Sequence, residues 1–502
     1  MDRKYIEAIE HARVYDVAVE TPLELAPKLS RRLHNEIFLK REDLQPVFSF
    51  KLRGAYNKIA KLDEEDCKKG VLCASAGNHA QGVALAAHKR DCSATIVMPR
   101  TTPDIKVHAV QAMGATVVLA GDNYSDANHH ALKLLQESDM VFVHPYDDPD
   151  VIAGQGTVAE EILRQSPKDI DVVFVPVGGG GLISGMAVYL KNISRATRVI
   201  GVEPVDSAAM YHSIEADHIV ELDQVGIFAD GVAVKKVGTH TFDLTRRYVD
   251  EIILVEADEI CAAIKDLFDE NRSIVEPAGA LATAAMKSYV EREDVHGKTM
   301  VCINSGANMN FDRLRHVAER AEIGEERETL FAVTIPEKSG AFLNFCRLIG
   351  HRVITEFNYR LSMRDHAHIF VGIRTQDKKE AFEIQKTLTK HGHDVVNLHY
   401  NELAKLHIRH LVGGRSRSVK DEVLYRFEFP ERPGALLEFL TRMAGRWNIS
   451  LFHYRNHGAD FGRVLAGMEV PSTDRVEFQT FLDELGYSYT EETANPAYHL
   501  FL

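Results

Sequence analysis

Residues 172–190 run without a single charge. That is about the length of a helix that crosses a bilayer. The run also contains Pro176 and four consecutive glycines, Gly178 to Gly181. Inside a helix the proline would cost about 3 kcal/mol and each glycine about 1 kcal/mol. The segment therefore reads as strand, glycine loop, helix, and no membrane span is expected. Similar apolar runs recur at 92–99, 114–119, 198–202 and 299–303, separated by helical stretches such as 107–113. Short apolar runs alternating with helices predict an α/β fold with parallel sheets covered on both faces. Ligands of such sheets bind beyond the carboxyl ends of the strands. The glycine-rich and polar residues of this chain cluster there.

With 502 residues, about three folding units are expected. A net charge of −14 argues against a nucleic-acid partner, which calls for a basic footprint. Six cysteines, at 67, 73, 92, 261, 302 and 346, form no CxxC pair and read as reduced thiols of a cytoplasmic protein. The first residues carry no apolar core of a secretory signal.

Near residue 324 the texture changes, and 322–328 reads as a linker. Beyond it lies an internal repeat. Pro336 and Pro430, Gly340 and Gly434, and Phe345 and Phe439 are each 94 residues apart. Phe357-Asn358-Tyr359-Arg360 then matches Phe452-His453-Tyr454-Arg455 at an offset of 95. Each copy reads as an alternating strand, a glycine turn, an amphipathic helix and a second strand. The pair is either a duplicated structural module or a pair of small-molecule sensors. The boundaries expected are 1–323, with a smaller subdomain of about 45–145 inserted, then 324–410 and 411–502.

Four segments carry chemistry. In Ser49-Phe50-Lys51-Leu52-Arg53-Gly54, Ser49 can cap a helix beginning near Phe50, with Lys51 in its first turn. A lysine there is either a solvated charge or, once desolvated, a nucleophilic amine. Ser75-Ala76-Gly77-Asn78-His79 opens a helix whose free N–H groups suit a carboxylate. Gly178-Gly179-Gly180-Gly181-Leu182 bridges strand and helix and suits a phosphate. It has neither the GxGxxG spacing nor that of a P-loop. Asn304-Ser305-Gly306 follows a strand, so Ser305 either faces a ligand or closes a turn. The histidine clusters at 129–130, 366–368 and 391–393 lack cysteine or carboxylate company and read as surface residues; no metal is expected.

In this order the four segments resemble the fold-type II pyridoxal-phosphate enzymes. Over its full length the chain is similar to the biosynthetic threonine ammonia-lyases (threonine dehydratases), including their paired C-terminal ACT-like modules. The resemblance implies that Lys51 forms the Schiff base with pyridoxal 5'-phosphate and later acts as base. It implies that Gly178, Gly179, Gly180, Gly181 and Leu182 hold the phosphate. Asn78 would meet the phenolic oxygen, and Ser305 the pyridine nitrogen. Ser75, Ala76, Gly77, Asn78 and His79 would cradle the substrate carboxylate. The implied reaction is deamination of L-threonine to 2-oxobutanoate and ammonia, the first step of isoleucine biosynthesis. Isoleucine as inhibitor and valine as activator would bind the modules, near Tyr359 and Tyr454, in a homotetramer.

Two departures from related serine racemases matter. Ala76 stands where those enzymes carry a second serine, which argues against racemisation. Glu203-Pro204 matches their cation-binding turn, but Ala209 replaces a second acidic ligand. Another fold-type II lyase acting on serine, a synthase, and a non-catalytic amino-acid sensor are the alternative readings.

Overall fold

A computed structural model describes residues 2–498 apart from 227, 312, 326, 339, 361–365, 407, 412, 414, 415, 417, 418, 431–434, 444, 456–460 and 497. The chain divides into two compact units, Met1–Gly324 and Glu325–Leu502. The expected linker is shorter than read. A helix, Arg313–Gly324, takes up its first part and a strand opens at Glu328. Gly434 and the rest of the second repeat's turn, like Ser339 of the first, lie outside the described residues.

The first unit holds two sheets. The larger has the order Leu23–Leu25, Glu36–Lys40, Thr299–Ile303, Val172–Pro176, Arg198–Pro204, Glu251–Val255. All its pairs are parallel except the first. The period of two decides which residue faces which layer. Val172, Phe174, Met300 and Cys302 pack against the helices Ala257–Asn271 and Pro277–Glu293. Val173, Val175, Val301 and Ile303 pack against Pro149–Gln165 and Gly181–Ile193. Both faces are buried, so the strands are apolar throughout rather than alternating. The smaller sheet is wholly parallel, in the order Thr116–Leu119, Ala94–Met98, Val71–Ala74, Val141–Phe142. The helix Asn78–Lys89 leaves the carboxyl end of its Val71–Ala74 strand.

The second unit is one eight-stranded antiparallel sheet over a single aromatic-rich core. The two repeats join through equivalent strands, Ile354–Arg360 and Asn448–Arg455. Phe357 faces Tyr454, Asn358 faces His453 and Tyr359 faces Phe452. Asn358 and His453 are equivalent positions, so a local two-fold axis passes between them.

Two expectations need correction. Cys67 and Cys92 are not separate thiols: they form a disulfide, with Cα atoms 5.0 Å apart. The helix Glu64–Lys69 and the turn before Ala94–Met98 bring them together, which spacing in sequence does not reveal. The other four cysteines are free and buried. His393 is not a surface residue; it is buried with its ring edge-on to Phe345. Among the described residues no helix is long and apolar enough to cross a membrane.

Candidate active site

The helix carrying Lys51 spans Lys51–Ala60. Ser49 does not cap it as expected. Phe50 holds the cap position without a side-chain bond, and the Ser49 hydroxyl accepts only a long 3.4 Å contact from the Lys51 N–H. The backbone of Ser49 bridges Gly306, and the Phe50 N–H donates to the Ser305 carbonyl at 3.3 Å. These bonds tie the lysine segment to the serine segment.

Two further devices hold this helix. Gly54 and Gly154 let it approach the helix Pro149–Gln165 so closely that a Cβ at Gly154 would stand 2.7 Å from the Arg53 carbonyl and from Gly54 Cα. Below, Arg53 is fully buried between two carboxylates. It donates to Glu42 at 2.8 Å and to Glu161 at 2.7 Å, and Lys40 reaches Glu161 at 2.6 Å. Breaking one partner of a buried pair of this kind costs about 3–5 kcal/mol.

Lys51 itself lies in a cavity of about 470 Å³, with Asn78, the four glycines, Leu182, Glu276 and Ser305 in its wall. Burial depresses the Lys51 ammonium to about 8, against the opposing pull of Glu276. The lysine is therefore the desolvated amine, not a solvated charge.

The glycine loop is packed as a cradle. A Cβ at Gly178 would stand 2.9 Å from Val232 Cα, and one at Gly179 would enter the Tyr146 ring. Gly180 has φ 95°, the left-handed region that glycine adopts without strain. The helix Gly181–Ile193 starts at once, so its first N–H groups and its dipole face the loop.

Of the segment Ser75 to His79, Asn78 stands in the cavity wall; Gly77 precedes its helix, Asn78–Lys89, and no protein atom outside its chain neighbours lies within 4 Å of a Cβ built there. Ser75 accepts from the Gly77 N–H at 3.3 Å. The His79 side chain is turned to other work. Its buried ring bonds the Val143 carbonyl at 2.9 Å, and burial lowers it to about 3, so it is neutral. Ser305 donates to the Ala278 carbonyl at 3.2 Å.

Sequence reasoning missed Glu276. Asn78 donates one amide hydrogen to it at 2.6 Å, and Asn308 donates to the Asn78 carbonyl oxygen at 2.7 Å. Burial raises the Glu276 carboxyl to about 7, helped by Asp230. The signal was the second of the chain's two Glu-Pro pairs, opening the helix Pro277–Glu293. Tyr146, pinned through its hydroxyl to the Lys236 carbonyl at 2.9 Å, was missed as well.

Glu203 is also accounted for. Its carboxylate accepts the N–H groups of Met210 at 3.0 Å and Tyr211 at 2.8 Å. It serves the start of the helix Ala209–Glu215. Among the described residues no group of three or more His, Cys, Asp or Glu is placed to hold a metal ion.

In the second unit Tyr359 lines a separate cavity of about 400 Å³ and donates to both oxygens of Glu337 at 2.9 Å. Tyr454 is buried in the same sheet and is not part of that wall.

A desolvated lysine, a glycine-only anion cradle at a helix start, and a neutral hydroxyl on one cavity fit pyridoxal phosphate. This fold and site define a pyridoxal-phosphate enzyme of fold type II. Residues 14–306 match the family described as pyridoxal-phosphate dependent enzyme. Residues 319–408 and 413–502 each match the C-terminal regulatory domain of threonine dehydratase. The chain is 56% identical over 501 residues to the biosynthetic L-threonine dehydratase IlvA of Burkholderia multivorans, covering 99% of both. It is 52% identical over 500 residues to the protein of that name from Escherichia coli, covering 99% of this chain and 97% of that one. The solved threonine deaminase isoform 2 of Solanum lycopersicum, in its processed form, superposes with a TM-score of 0.63 at 51% identity. That match covers 64% of this chain and 93% of the other. The chain belongs to the biosynthetic threonine dehydratase family.

Proposed function

We propose that the chain deaminates L-threonine to 2-oxobutanoate and ammonia, as a threonine ammonia-lyase at the head of isoleucine biosynthesis. The observation that carries this is the convergence of Lys51, the tetraglycine cradle, the Asn78–Lys89 helix start and Ser305 on one cavity.

Pyridoxal phosphate, when bound, supplies the electron sink for the charge left at the substrate Cα. Lys51 would hold it covalently, and Gly178 to Leu182 would hold its phosphate through backbone N–H groups. The same lysine amine, once free, would take the Cα proton; burial lowers it to about 8, so a far larger share is unprotonated near neutral pH than for a solvated lysine. The N–H groups of Ala76, Asn78 and His79 would orient the substrate carboxylate, since those of Ser75 and Gly77 already donate to the Val97 carbonyl and the Ser75 hydroxyl. Glu276 keeps Asn78 aimed at the cofactor's phenolic oxygen and leaves one of its amide hydrogens for that bond. Ser305 offers the pyridine nitrogen a neutral hydroxyl rather than a carboxylate. That disfavours a long-lived carbanion and favours prompt elimination over transamination. Ala76 brings no hydroxyl to the opposite face, which supports elimination rather than racemisation.

The test is 2-oxobutanoate release from L-threonine, with Lys51→Ala as the blank. Absence of turnover in cofactor-loaded protein would overturn the reading. Ser305→Asp should shift product toward transamination; an unchanged partition counts against the role given to Ser305.

The regulatory unit we read as the site of isoleucine inhibition and valine activation, in a cytoplasmic homotetramer. Its two matches to a threonine dehydratase regulatory domain support the effectors. Four free buried thiols support the compartment, while the Cys67–Cys92 pairing runs against it. Inhibition by isoleucine and sedimentation of the holoenzyme check these points.

A further inference from the structure

Something must aim the N–H groups of the glycine cradle. Gly179 and Gly180 are consecutive glycines, and no Cβ restricts the peptide unit between them. Turned one way, that unit offers the Gly180 N–H to the cavity. Turned the other way, it offers the Gly179 carbonyl oxygen, which repels an anion. The loop alone does not decide between the two.

Thr241 does. It is fully buried, and its hydroxyl donates to the Gly179 carbonyl at 2.6 Å. A hydroxyl has one proton to give. The other acceptor within reach, the Gly238 carbonyl, is farther at 3.2 Å, and the hydroxyl oxygen accepts the Gly238 N–H at 3.1 Å. Gly179 and Gly180 stand in the cavity wall, and Thr241 does not. The carbonyl is therefore drawn away from the cavity. In a trans peptide the N–H points opposite to the C=O, so the Gly180 N–H is left facing the cavity. Among the described residues it has no acceptor. Thr241 also grips the helix that follows the loop, because Ser184 donates to the Thr241 carbonyl at 3.1 Å.

Thr241 is itself held from a distant segment. It lies in the first turn of the helix Thr239–Tyr248, whose cap residue, Gly238, has no side chain to offer. Asp147 supplies the cap instead. Its carboxylate accepts the N–H groups of Thr239 and His240 at 2.9 Å and of Thr241 at 3.3 Å. A Cβ at Gly238 would stand 2.2 Å from Asp147 Cγ, so the glycine makes room for that carboxylate. His144 places Asp147 in turn, its Nδ1 accepting the Asp147 N–H at 2.8 Å.

We propose that Thr241 is a positioning residue for the cofactor phosphate: its bond to the Gly179 carbonyl aims the Gly180 N–H into the cradle, and Asp147 holds the helix start from which it reaches. This role rests on reading the tetraglycine loop as the seat of the phosphate.

Thr241→Ala and Thr241→Ser differ from each other by the hydroxyl oxygen alone, so the pair isolates the bond. Full-length protein stripped of cofactor is dialysed to equilibrium against pyridoxal phosphate and, separately, against pyridoxal, which lacks the phosphate. Thr241→Ala should weaken pyridoxal phosphate binding by about 10- to 100-fold, the scale of one hydrogen bond to a charged group, and leave pyridoxal binding unchanged. Thr241→Ser should bind both as the parent does. Asp147→Ala, which keeps the hydroxyl, should show the same preference at smaller size, about fivefold. Thermal melts verify folding, and Asp147→Ala carries the test if Thr241→Ala does not fold. Equal loss for both ligands, no loss for either, or a serine variant as weak as the alanine variant overturns the inference while the cradle reading stands. A parent protein that binds pyridoxal as tightly as pyridoxal phosphate overturns the cradle reading and the inference with it.

Discussion

Gly154→Ala tests whether packing remote from the cavity places the reacting amine. Gly154 lies on the helix Pro149–Gln165 and is not part of the cavity wall. The added methyl would sit 2.7 Å from the Arg53 carbonyl, 2.7 Å from Gly54 Cα and 2.9 Å from Asn57 Cβ. Two of these are backbone atoms, so no side chain can rotate away. Bringing a 2.7 Å approach to an ordinary 3.4 Å requires the helices to part by about 0.7 Å. Overpacking of this kind costs about 1–3 kcal/mol. The helix that must move carries Lys51 in its first turn and is held on its other side by the buried Arg53 pairs. A displacement near 1 Å at a reacting group can lower the rate by about 10²-fold. Gly154→Ala should therefore lower kcat for threonine by about 10- to 100-fold and lower the denaturation midpoint. The assay is steady-state 2-oxobutanoate formation alongside urea unfolding of the same preparation. A variant with parental kcat and stability would refute the claim that this helix contact positions Lys51.

Three other outcomes are expected. Arg53→Met leaves Glu42 and Glu161 buried without their shared cation and should cost about 3–5 kcal/mol, read from denaturant unfolding of the catalytic unit's transition. Glu276 is raised from the ordinary 4.5 to about 7, so the folded state binds its proton more tightly than the unfolded state does. Its contribution is complete below pH 4.5 and is lost as the pH rises to about 7, a loss of about 3 kcal/mol. In cofactor-free protein, Glu276→Gln should remove that slope, and the stability difference between variant and parent should shift by this amount between pH 4.5 and 8. Prolonged chelation of divalent cations should leave turnover unchanged, because both oxygens of Glu203 already accept backbone N–H groups; loss of activity restored by magnesium would contradict this.

Much of the architecture was legible in the residues alone. The strand Val172–Pro176, the glycine loop and the helix Gly181–Ile193 follow from local chemistry: β-branched residues, a proline that ends helices, glycines that allow a backbone turn. The doubling of the regulatory unit was visible as a near-constant offset. Lys51, Asn78 and Ser305 could be singled out because small-residue turns at strand ends and helix starts are where α/β sheets hold ligands.

Other features depend on burial and on distant pairing, which no local pattern encodes. Glu276 becomes a neutral-range carboxyl only because folding removes it from water and sets Asn78, 198 residues away in sequence, against it. Cys67 and Cys92 are neighbours only once a helix and a strand have packed. Ser49 is joined by its backbone to Gly306, far along the chain, and the cap position falls to Phe50. The two repeats are nearly alike in sequence pattern, yet only the joined sheet sets the Asn448 amide of the second between Glu337 of the first and Glu469. Sequence by itself determined the elements, the cofactor's cradle and the duplication, because propensity and backbone conformation are properties of short segments. Tertiary structure decided which charges share a cavity, because the energy of a charge depends on what surrounds it.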